Sequence, residues 1–250
     1  MAVFVGLSGF SYPSWRGAFY PQELPPRQFL QFYSQHFVAV ELNVTFYRWP
    51  RASTLRRWRH QVPQGFRFAV KLHRSITHQQ RLRAGRGELE RLGELVAELQ
   101  PAVVLAQLPP SLPFDASLLL DFVAALPQPF PPLVWEGRHR SFCSTEAVAW
   151  FAQQGWSLVV ADSGGRYPTL WEVTGTPLYL RFHGPGPGYA SAYSDQELSQ
   201  FVDWLCQVSP QAGDTYAFFN NTAGVFALEN ARSFARLLAL RGLAPQCSAA

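Results

Sequence analysis

Five side chains capable of acid, base or nucleophilic chemistry stand at or just after the ends of short apolar runs in this 250-residue chain. They are Glu41, Lys71, Glu136, Asp162 and His183, and we predict them as the catalytic residues. A carboxylate or an imidazole can move a proton, and an uncharged lysine can attack a carbonyl group. If the apolar runs are strands of one barrel, these side chains converge on one pocket.

Other polar side chains at the same run ends predict a substrate-binding set. The set comprises Ser8, Asn43, Tyr47, His78, Gln107, Arg138, His139, Arg181, Asn220 and Asn221. Its arginines, together with Lys71, favour a small anionic substrate that carries a phosphate or a carboxylate. Each residue alone has an ordinary structural explanation, such as an ion pair between Glu41 and Lys71, or between Glu136 and Arg138 or Arg181. Removing all of these polar side chains from water is less favourable than burying aliphatic ones, so a purely structural role does not account for the whole set. The set therefore indicates a pocket.

The chain contains one lysine, Lys71, and the other 20 of its 21 basic residues are arginines. Two explanations are open. Genomic drift toward arginine would leave one lysine by accident, whereas a site that needs a compact amine able to lose a proton would retain it. The second explanation includes Schiff-base chemistry at Lys71, which requires a lowered amine pKa.

A metal-dependent enzyme, resembling a sugar isomerase or a phosphoester hydrolase, is an alternative. Glu41, Glu136, Asp162 and His183 are ligand types for a hard metal ion and lie on separate predicted strands. The chain has no H-x-x-x-H or D-x-D pattern, and nearby cations would compete for the carboxylates. We therefore predict no metal site and no cofactor, and leave a divalent metal open as the alternative.

A second alternative is a non-catalytic protein that binds nucleic acid through residues 42–87. The net charge of the chain is +4, and this stretch holds ten arginines and Lys71 without a single acid. Trp49 and Trp58 lie among the arginines, and a basic surface with aromatic side chains attracts a phosphate backbone. The plainer explanation is a solvated, arginine-rich outer face.

Eight apolar runs alternate with helical patterns along the chain. The predicted strands are 3–7, 38–42, 66–70, 102–105, 133–135, 158–161, 178–180 and 216–219. The predicted helices are 26–37, a short helix capped by Ser53, 88–99, one from the cap Asp115 to Leu126, 145–154, 195–208 with the capping box Ser194-x-x-Glu197, and 229–240. This alternation predicts an α/β protein with a single (β/α)8 TIM barrel over residues 1–250 and a loose tail from about residue 243. An open doubly wound sheet is the second choice.

Composition excludes several classes of protein. No run approaches the roughly 18 apolar residues of a membrane span, and the first residues lack the basic region of a secretory signal. Cys143, Cys206 and Cys247 are odd in number and far apart, which predicts reduced thiols and a cytoplasmic location. The sequence does not indicate an oligomeric state.

Several motifs resemble the DUF72, or YecE-like, family. They are GLSGFSYPSWRG at 6–17, VELNVTFY at 40–47, FAVK at 68–71, QLPP at 107–110, EGRH at 136–139, RFHG at 181–184 and FNNT at 219–222. The resemblance implies a TIM barrel whose polar pocket is built from these segments, and it carries no established reaction. The chain departs from the pattern at Gly137, where an aromatic residue is expected, and at Phe142 or Cys143, where tryptophan is usual.

Overall fold

A computed structural model describes residues 2–243, 245 and 246, apart from the side chain of residue 187. Its strands form one sheet of nine parallel strands in the order β6-β5-β4-β3-β2-β1-β9-β8-β7. They are β1 (Val3–Leu7), β2 (Ala39–Leu42), β3 (Arg67–Lys71), β4 (Val103–Gln107), β5 (Leu133–Glu136), β6 (Ser157–Leu158), β7 (Val160–Asp162), β8 (Leu178–Phe182) and β9 (Thr215–Phe219).

The sheet closes almost completely into a barrel through the segment that contains β6 and β7. These two short strands form the two ends of the sheet, yet only Val159 separates them in the chain. β6 pairs with β5, whereas β7 pairs with β8. The predicted sixth strand is therefore divided where it changes partner, and the predicted α/β TIM-barrel fold is confirmed.

Helices cover the outside of the barrel. They are α1 (Phe29–Tyr33), α2 (Val44–Tyr47), α3 (Ala52–His60), α4 (Arg86–Leu99), α5 (Ala116–Ala124), α6 (Thr145–Gln154), α7 (Asp195–Ala212) and α8 (Phe226–Leu240). The side chain of Asp115 caps α5, and the capping box of Ser194 and Glu197 begins α7, as predicted.

Two helix predictions are wrong in detail. The predicted helix 26–37 is a 3-10 turn at Pro26–Gln28 followed by the short α1, which ends at Tyr33. Ser53 does not cap α3, because it lies inside that helix, which begins at Ala52 and has Arg51 as its N-cap. Local sequence patterns indicate that a helix is present more accurately than they indicate the residues at which it begins and ends.

The strand period of two places the polar side chains at one end of the barrel. Ala39, Ala69, Val134 and Tyr179 belong to the apolar cluster that fills the barrel. Two residues further along the same strands come Glu41, Lys71, Glu136 and Arg181, all of them buried. Because alternate residues of a strand point to the same face, these four continue the inward-facing series beyond its apolar part. The polar layer thus lies at the carboxyl-terminal ends of the strands.

The last described residues return to the first strand. Pro245 forms a bridge with Val3, and the backbone N–H of Gln246 donates to the carbonyl of Val3 at 2.9 Å. Residues 244 and 247–250, which include Cys247, lie outside the described residues, so the loose tail stays a prediction. Within the described ranges, no helix has both the length and the apolar character needed to cross a membrane.

Candidate functional site

Arg181 is the centre of the polar layer. Its Nε and Nη2 atoms donate to the two carboxylate oxygens of Glu41 at 2.9 and 2.8 Å, and its Nη1 donates to Glu136. The side chains of Arg181 and Glu41 are 1% and 0% exposed. One guanidinium from β8 therefore joins carboxylates from β2 and β5 across the barrel, using the bidentate geometry that lysine cannot provide.

The carboxylate of Glu41 is fully engaged. Besides Arg181, it accepts hydrogen bonds from the hydroxyls of Ser8 and Tyr179, both at 2.7 Å. Four donors occupy the four lone-pair directions of a carboxylate. The ion pair of Glu41 with Lys71 that the sequence suggested is not formed. Sequence reasoning also missed Tyr179, although it lies two residues before Arg181 and so on the same strand face.

Glu136 is held as a carboxylate by two arginines. In addition to Arg181, Nε of Arg138 donates to it at 3.0 Å. Burial alone would raise the pKa of Glu136, but the charges of Arg181 and Arg138 hold that pKa far below its usual range. Burial alone would lower the pKa of Arg181, but the charges of Glu136 and Glu41 raise it. Glu136 and Arg181 therefore keep their charges at neutral pH.

Arg138 differs from Arg181 because most of its hydrogen-bonding capacity is unused. Only Nε has an acceptor, so in the described part of the chain neither Nη atom donates to a protein group. The guanidinium lies over the ring of Tyr167, 4.8 Å from its centroid, and the side chain is 16% exposed. The Nη atoms of Arg138 are thus available to a ligand.

A cavity of about 380 Å³ adjoins Arg138, and we call it the Arg138 cavity. Arg166 and His183 also line it, with backbone from the glycine-rich segments 163–165 and 185–188. Nothing in the sequence motifs had indicated Arg166, which lies in the irregular segment between β7 and β8. Two guanidinium groups at one cavity make it suited to an anion.

Lys71 ends β3 and is 9% exposed. Its Nζ lies 4.1 Å from the centroid of the Phe46 ring and, among the described residues, has no hydrogen-bond or ion-pair partner. Burial and the charge of Arg181 lower the pKa of Lys71 to about 7, although Glu136 and Glu41 act in the opposite direction. Close to neutral pH, a large fraction of this amine is therefore uncharged.

Two imidazoles of the site are neutral. Burial and the charge of Arg181 lower the pKa of His183 to about 3, and its Nε2 lies 3.3 Å from Nη1 of Arg181. The Nδ1 of His183 lies 2.9 Å from the Asn220 amide, which in turn contacts Asn43 at 3.2 Å. Burial and the charge of Lys71 lower the pKa of His78 to about 4, and its ring packs against the Phe46 edge at 4.9 Å. Neither imidazole carries a charge at pH 7.

Asp162 contacts the loops rather than the ion cluster. It accepts a hydrogen bond from the Tyr193 hydroxyl at 2.6 Å, while that hydroxyl accepts one from the backbone N–H of Gly184 at 3.0 Å. The N–H of Gly164 also donates to Asp162, at 3.2 Å. Asp162 and Tyr193 thus connect the two glycine-rich walls of the Arg138 cavity.

Four other predicted binding residues lie elsewhere or have local partners. Gln107 is buried and pairs with Glu136 in the register of β4 and β5. The Nδ1 of His139 accepts a hydrogen bond from the backbone of Ser141 in the next turn. Asn221 is fully buried and donates to Ser191 and Asn230. Tyr47 is 63% exposed and lies outside the ion cluster.

A second cavity, of about 660 Å³, opens beside the loops that follow β1 and β2. Three arginines line it, Arg27, Arg48 and Arg57, and we call it the Arg48 cavity. The predicted binding residues Ser8, Asn43 and Tyr47 also line it, together with Phe10, Tyr12 and Trp58. Of the ten predicted binding residues, these three therefore line the Arg48 cavity, and Arg138 lines the other.

The candidate metal ligands do not converge on one point. In the part of the chain that the structure describes, no group of three or more His, Cys, Asp and Glu side chains has a geometry that could hold a metal ion. Glu41 and Glu136 bind Arg181, and Asp162 binds Tyr193. This donor set does not fit a divalent metal.

Comparisons with known proteins place the chain among relatives without an assigned reaction. Residues 4–249 match the family described as "Protein of unknown function DUF72". The chain is 28% identical to the UPF0759 protein YunF of Bacillus subtilis over 98% of both chains, and 31% identical to the UPF0759 protein YecE of Escherichia coli over 56% of this chain and 50% of that protein. A crystal structure of a DUF72 family protein from Thermotoga maritima superposes with a TM-score of 0.80 at 31% identity, covering 96% of this chain and all of the other.

Proposed function

The chain belongs to the DUF72 family, and from this premise we propose that it is an enzyme that binds a small anionic molecule at the carboxyl-terminal ends of its barrel strands. The observation that carries the proposal is the free end of Arg138. Arg138 lines the Arg138 cavity, its Nε is fixed by Glu136, and its two Nη atoms have no acceptor in the described chain. A phosphate or carboxylate oxygen is the natural acceptor for such a fixed guanidinium.

The charges around the cavity support an anionic ligand. Glu41 and Glu136 are balanced by Arg181 and Arg138, and Lys71 adds a further basic group. Arg181 and Arg138 therefore offset the negative charge of Glu41 and Glu136. The partners of Asp162, Tyr193 and Gly164, are uncharged, so Asp162 is the nearby carboxylate whose charge an incoming anion would still meet.

The site also assigns a proton-transfer group. Glu136 remains ionised at neutral pH, and His183 and His78 remain neutral, since their pKa values are about 3 and 4. Lys71, with a pKa of about 7, changes its protonation in the physiological range. We assign Lys71 the role of base or nucleophile, and Glu41, Glu136 and Asp162 the role of positioning residues.

Titration calorimetry with inorganic phosphate tests the binding site. R138A should weaken phosphate binding by about tenfold or more, because a charge-assisted hydrogen bond is lost. R140A is the matched control, since Arg140 is exposed and two residues away, and it should change affinity less than about twofold. Equal affinities of the wild type and R138A, or no binding by the wild type, would overturn the proposal.

The Arg48 cavity supports a second candidate function, binding of single-stranded nucleic acid. Arg27, Arg48 and Arg57 have no side-chain acceptor in the described chain, and Trp58 and Tyr47 offer rings for base stacking. If this holds, R57A and a triple variant of Arg56, Arg57 and Arg59 to alanine should weaken oligonucleotide binding and flatten its dependence on salt. Loss of oligonucleotide binding in K71M, with the triple variant unaffected, would contradict it.

We also propose a cytoplasmic location. Cys143 and Cys206 are free thiols in the structure, and unpaired cysteines are typical of reducing compartments.

A further inference from the structure

Lys71 lacks the partner that a buried lysine normally has. An ammonium group removed from water is usually paired with a carboxylate. Here the two carboxylates whose charges act on Lys71, Glu136 and Glu41, are bound by Arg181 and Arg138 instead. The Nζ of Lys71 meets the face of Phe46 and no hydrogen-bond acceptor among the described residues. The face of Phe46 attracts a cation, but burial and the charge of Arg181 oppose the ammonium form, and no carboxylate among the described residues pairs with it.

We propose that Lys71 is a nucleophile that forms an imine with an aldehyde or ketone whose phosphate or carboxylate group binds Arg138. The inference rests on the proposed function and names its substrate class. It requires an uncharged amine with limited solvent access, an anion-binding group nearby and a proton carrier, and each is present.

The amine is the group that arginine cannot replace. A guanidinium keeps its proton at any physiological pH, so it cannot attack a carbonyl. Burial and the charge of Arg181 bring the pKa of Lys71 to about 7, and the side chain keeps 9% of its surface exposed at the polar end of the barrel. This accounts for a single lysine in a chain that otherwise uses arginine.

Arg138 supplies the anion site for the same ligand. It donates to Glu136, which lies with Lys71 in the polar layer at the carboxyl-terminal ends of the strands, and its charge contributes to lowering the pKa of Lys71 and of His78. A carbonyl compound held through its anionic group by Arg138 would present its carbonyl carbon toward the basic groups of the site. A carbonyl compound that has no anionic group would not be held in place by Arg138.

The reaction balances without an oxidant or a metal. The Nζ lone pair of neutral Lys71 attacks the carbonyl carbon, a C–N bond forms, and one N–H proton moves to the carbonyl oxygen to give a carbinolamine. The second N–H proton and the hydroxyl then leave as water, and a C=N bond remains. Neutral His78 packs on the same ring, Phe46, as Lys71, and we assign it the transfer of the proton from nitrogen to oxygen. Addition of water reverses both steps.

Reductive trapping tests the imine directly, because the chain has one lysine side chain. The full-length protein is incubated with pyruvate, with dihydroxyacetone phosphate or with acetone, and sodium cyanoborohydride reduces any imine to a stable secondary amine. Alkylation of Lys71 hinders tryptic cleavage there, so the adduct lies on the peptide 68–74, between Arg67 and the cut after Arg74. The N-terminal amine reacts on a different peptide and shows that the reagents work.

We expect an adduct on peptide 68–74 with at least one of the two anionic compounds, and about tenfold less with acetone at the same concentration. R138A should reduce trapping of the anionic compound to the acetone level, and R140A should not. K71M should give no adduct on this peptide while melting as a cooperative unit, since methionine fills a similar volume without a charge.

An adduct on the N-terminal peptide alone would overturn the imine, and equal trapping of acetone and the anionic compounds would overturn the substrate class. The proposed function has its own readout. If phosphate binding still depends on Arg138 while Lys71 is not trapped, the imine is wrong and the anion site stands. If phosphate does not bind, the proposed function is wrong.

Discussion

The ring of Phe142 occupies the space that a side chain at Gly137 would need. A Cβ added to Gly137 would lie 2.1 Å from Cγ of Phe142, far inside any permitted contact. The family pattern has an aromatic residue at position 137 and a tryptophan at 142 or 143. In this chain the ring of Phe142 fills the space beside Gly137, and both residues line a cavity with Glu136 and Arg138.

This contact predicts non-additive stability effects at the two positions. G137A should destabilise the protein by about 1–3 kcal/mol through overpacking, and F142A by about 3–5 kcal/mol through loss of a buried ring. In the double variant the added methyl group has room, so the total should be at least about 1 kcal/mol less than the sum. Urea unfolding measures all three. G87A is the control, because nothing lies within 4 Å of a Cβ there, and simple additivity would contradict the coupling.

Lys71 should make stability rise with pH above neutrality. Its pKa falls from 10.5 in the unfolded chain to about 7 in the folded protein, so between these values the unfolded chain binds more protons. The wild type should therefore gain stability relative to K71M between pH 7 and 9, by up to about 1.4 kcal/mol per pH unit. K71R keeps a charge throughout and should show no such gain. Parallel stability curves for the wild type and K71M would contradict the assigned pKa.

Protonation of Glu136 should account for part of the loss of stability at acid pH. Because Arg181 and Arg138 hold its folded pKa far below 4.5, its contribution to stability is fully present above that pH and is lost as pH falls below it. E136Q should lose about 3–5 kcal/mol at pH 7, since two buried arginine contacts lose their ionic partner. Between pH 4.5 and 3, its unfolding free energy should fall less steeply than that of the wild type, by up to about 1.4 kcal/mol per pH unit. E23Q, at an exposed position, should keep the wild-type slope, and an unchanged slope in E136Q would refute the prediction.

The Tyr193 hydroxyl should matter for ligand binding although it carries no charge. Y193F removes the link between Asp162 and the N–H of Gly184, which should cost about 1–3 kcal/mol of stability. Looser walls of the Arg138 cavity should weaken phosphate binding several-fold without changing the net charge. Hydrogen exchange should accelerate at Gly184 and not at Leu178, whose N–H bonds to Asp214 at the other end of the strand. Equal acceleration at both amides would indicate global loosening instead.

Some of the site was predictable because its signals are local. The alternation of apolar runs and helices predicted the barrel, and the position of Glu41, Lys71, Glu136 and Arg181 at the ends of predicted strands placed them together at one end of it. The caps at Asp115 and Ser194 were predictable for the same reason, since a cap needs only residues three apart. Asn221 and His139 were chosen by the same end-of-strand rule, but their partners are neighbouring loop groups.

The sequence by itself determined which side chains enter the polar end of the barrel, and it made Lys71 its one lysine. Only the tertiary structure decided how these groups pair. The candidate partners of Glu41 were Lys71 and the arginines, and in the structure Glu41 pairs with Arg181. The planar guanidinium of Arg181 binds this carboxylate through two nitrogen atoms and binds Glu136, from another strand, through the third. Such a choice depends on distances across the closed barrel between residues 140 positions apart, which no local pattern encodes. The unpaired amine of Lys71 and the free end of Arg138 are the consequence.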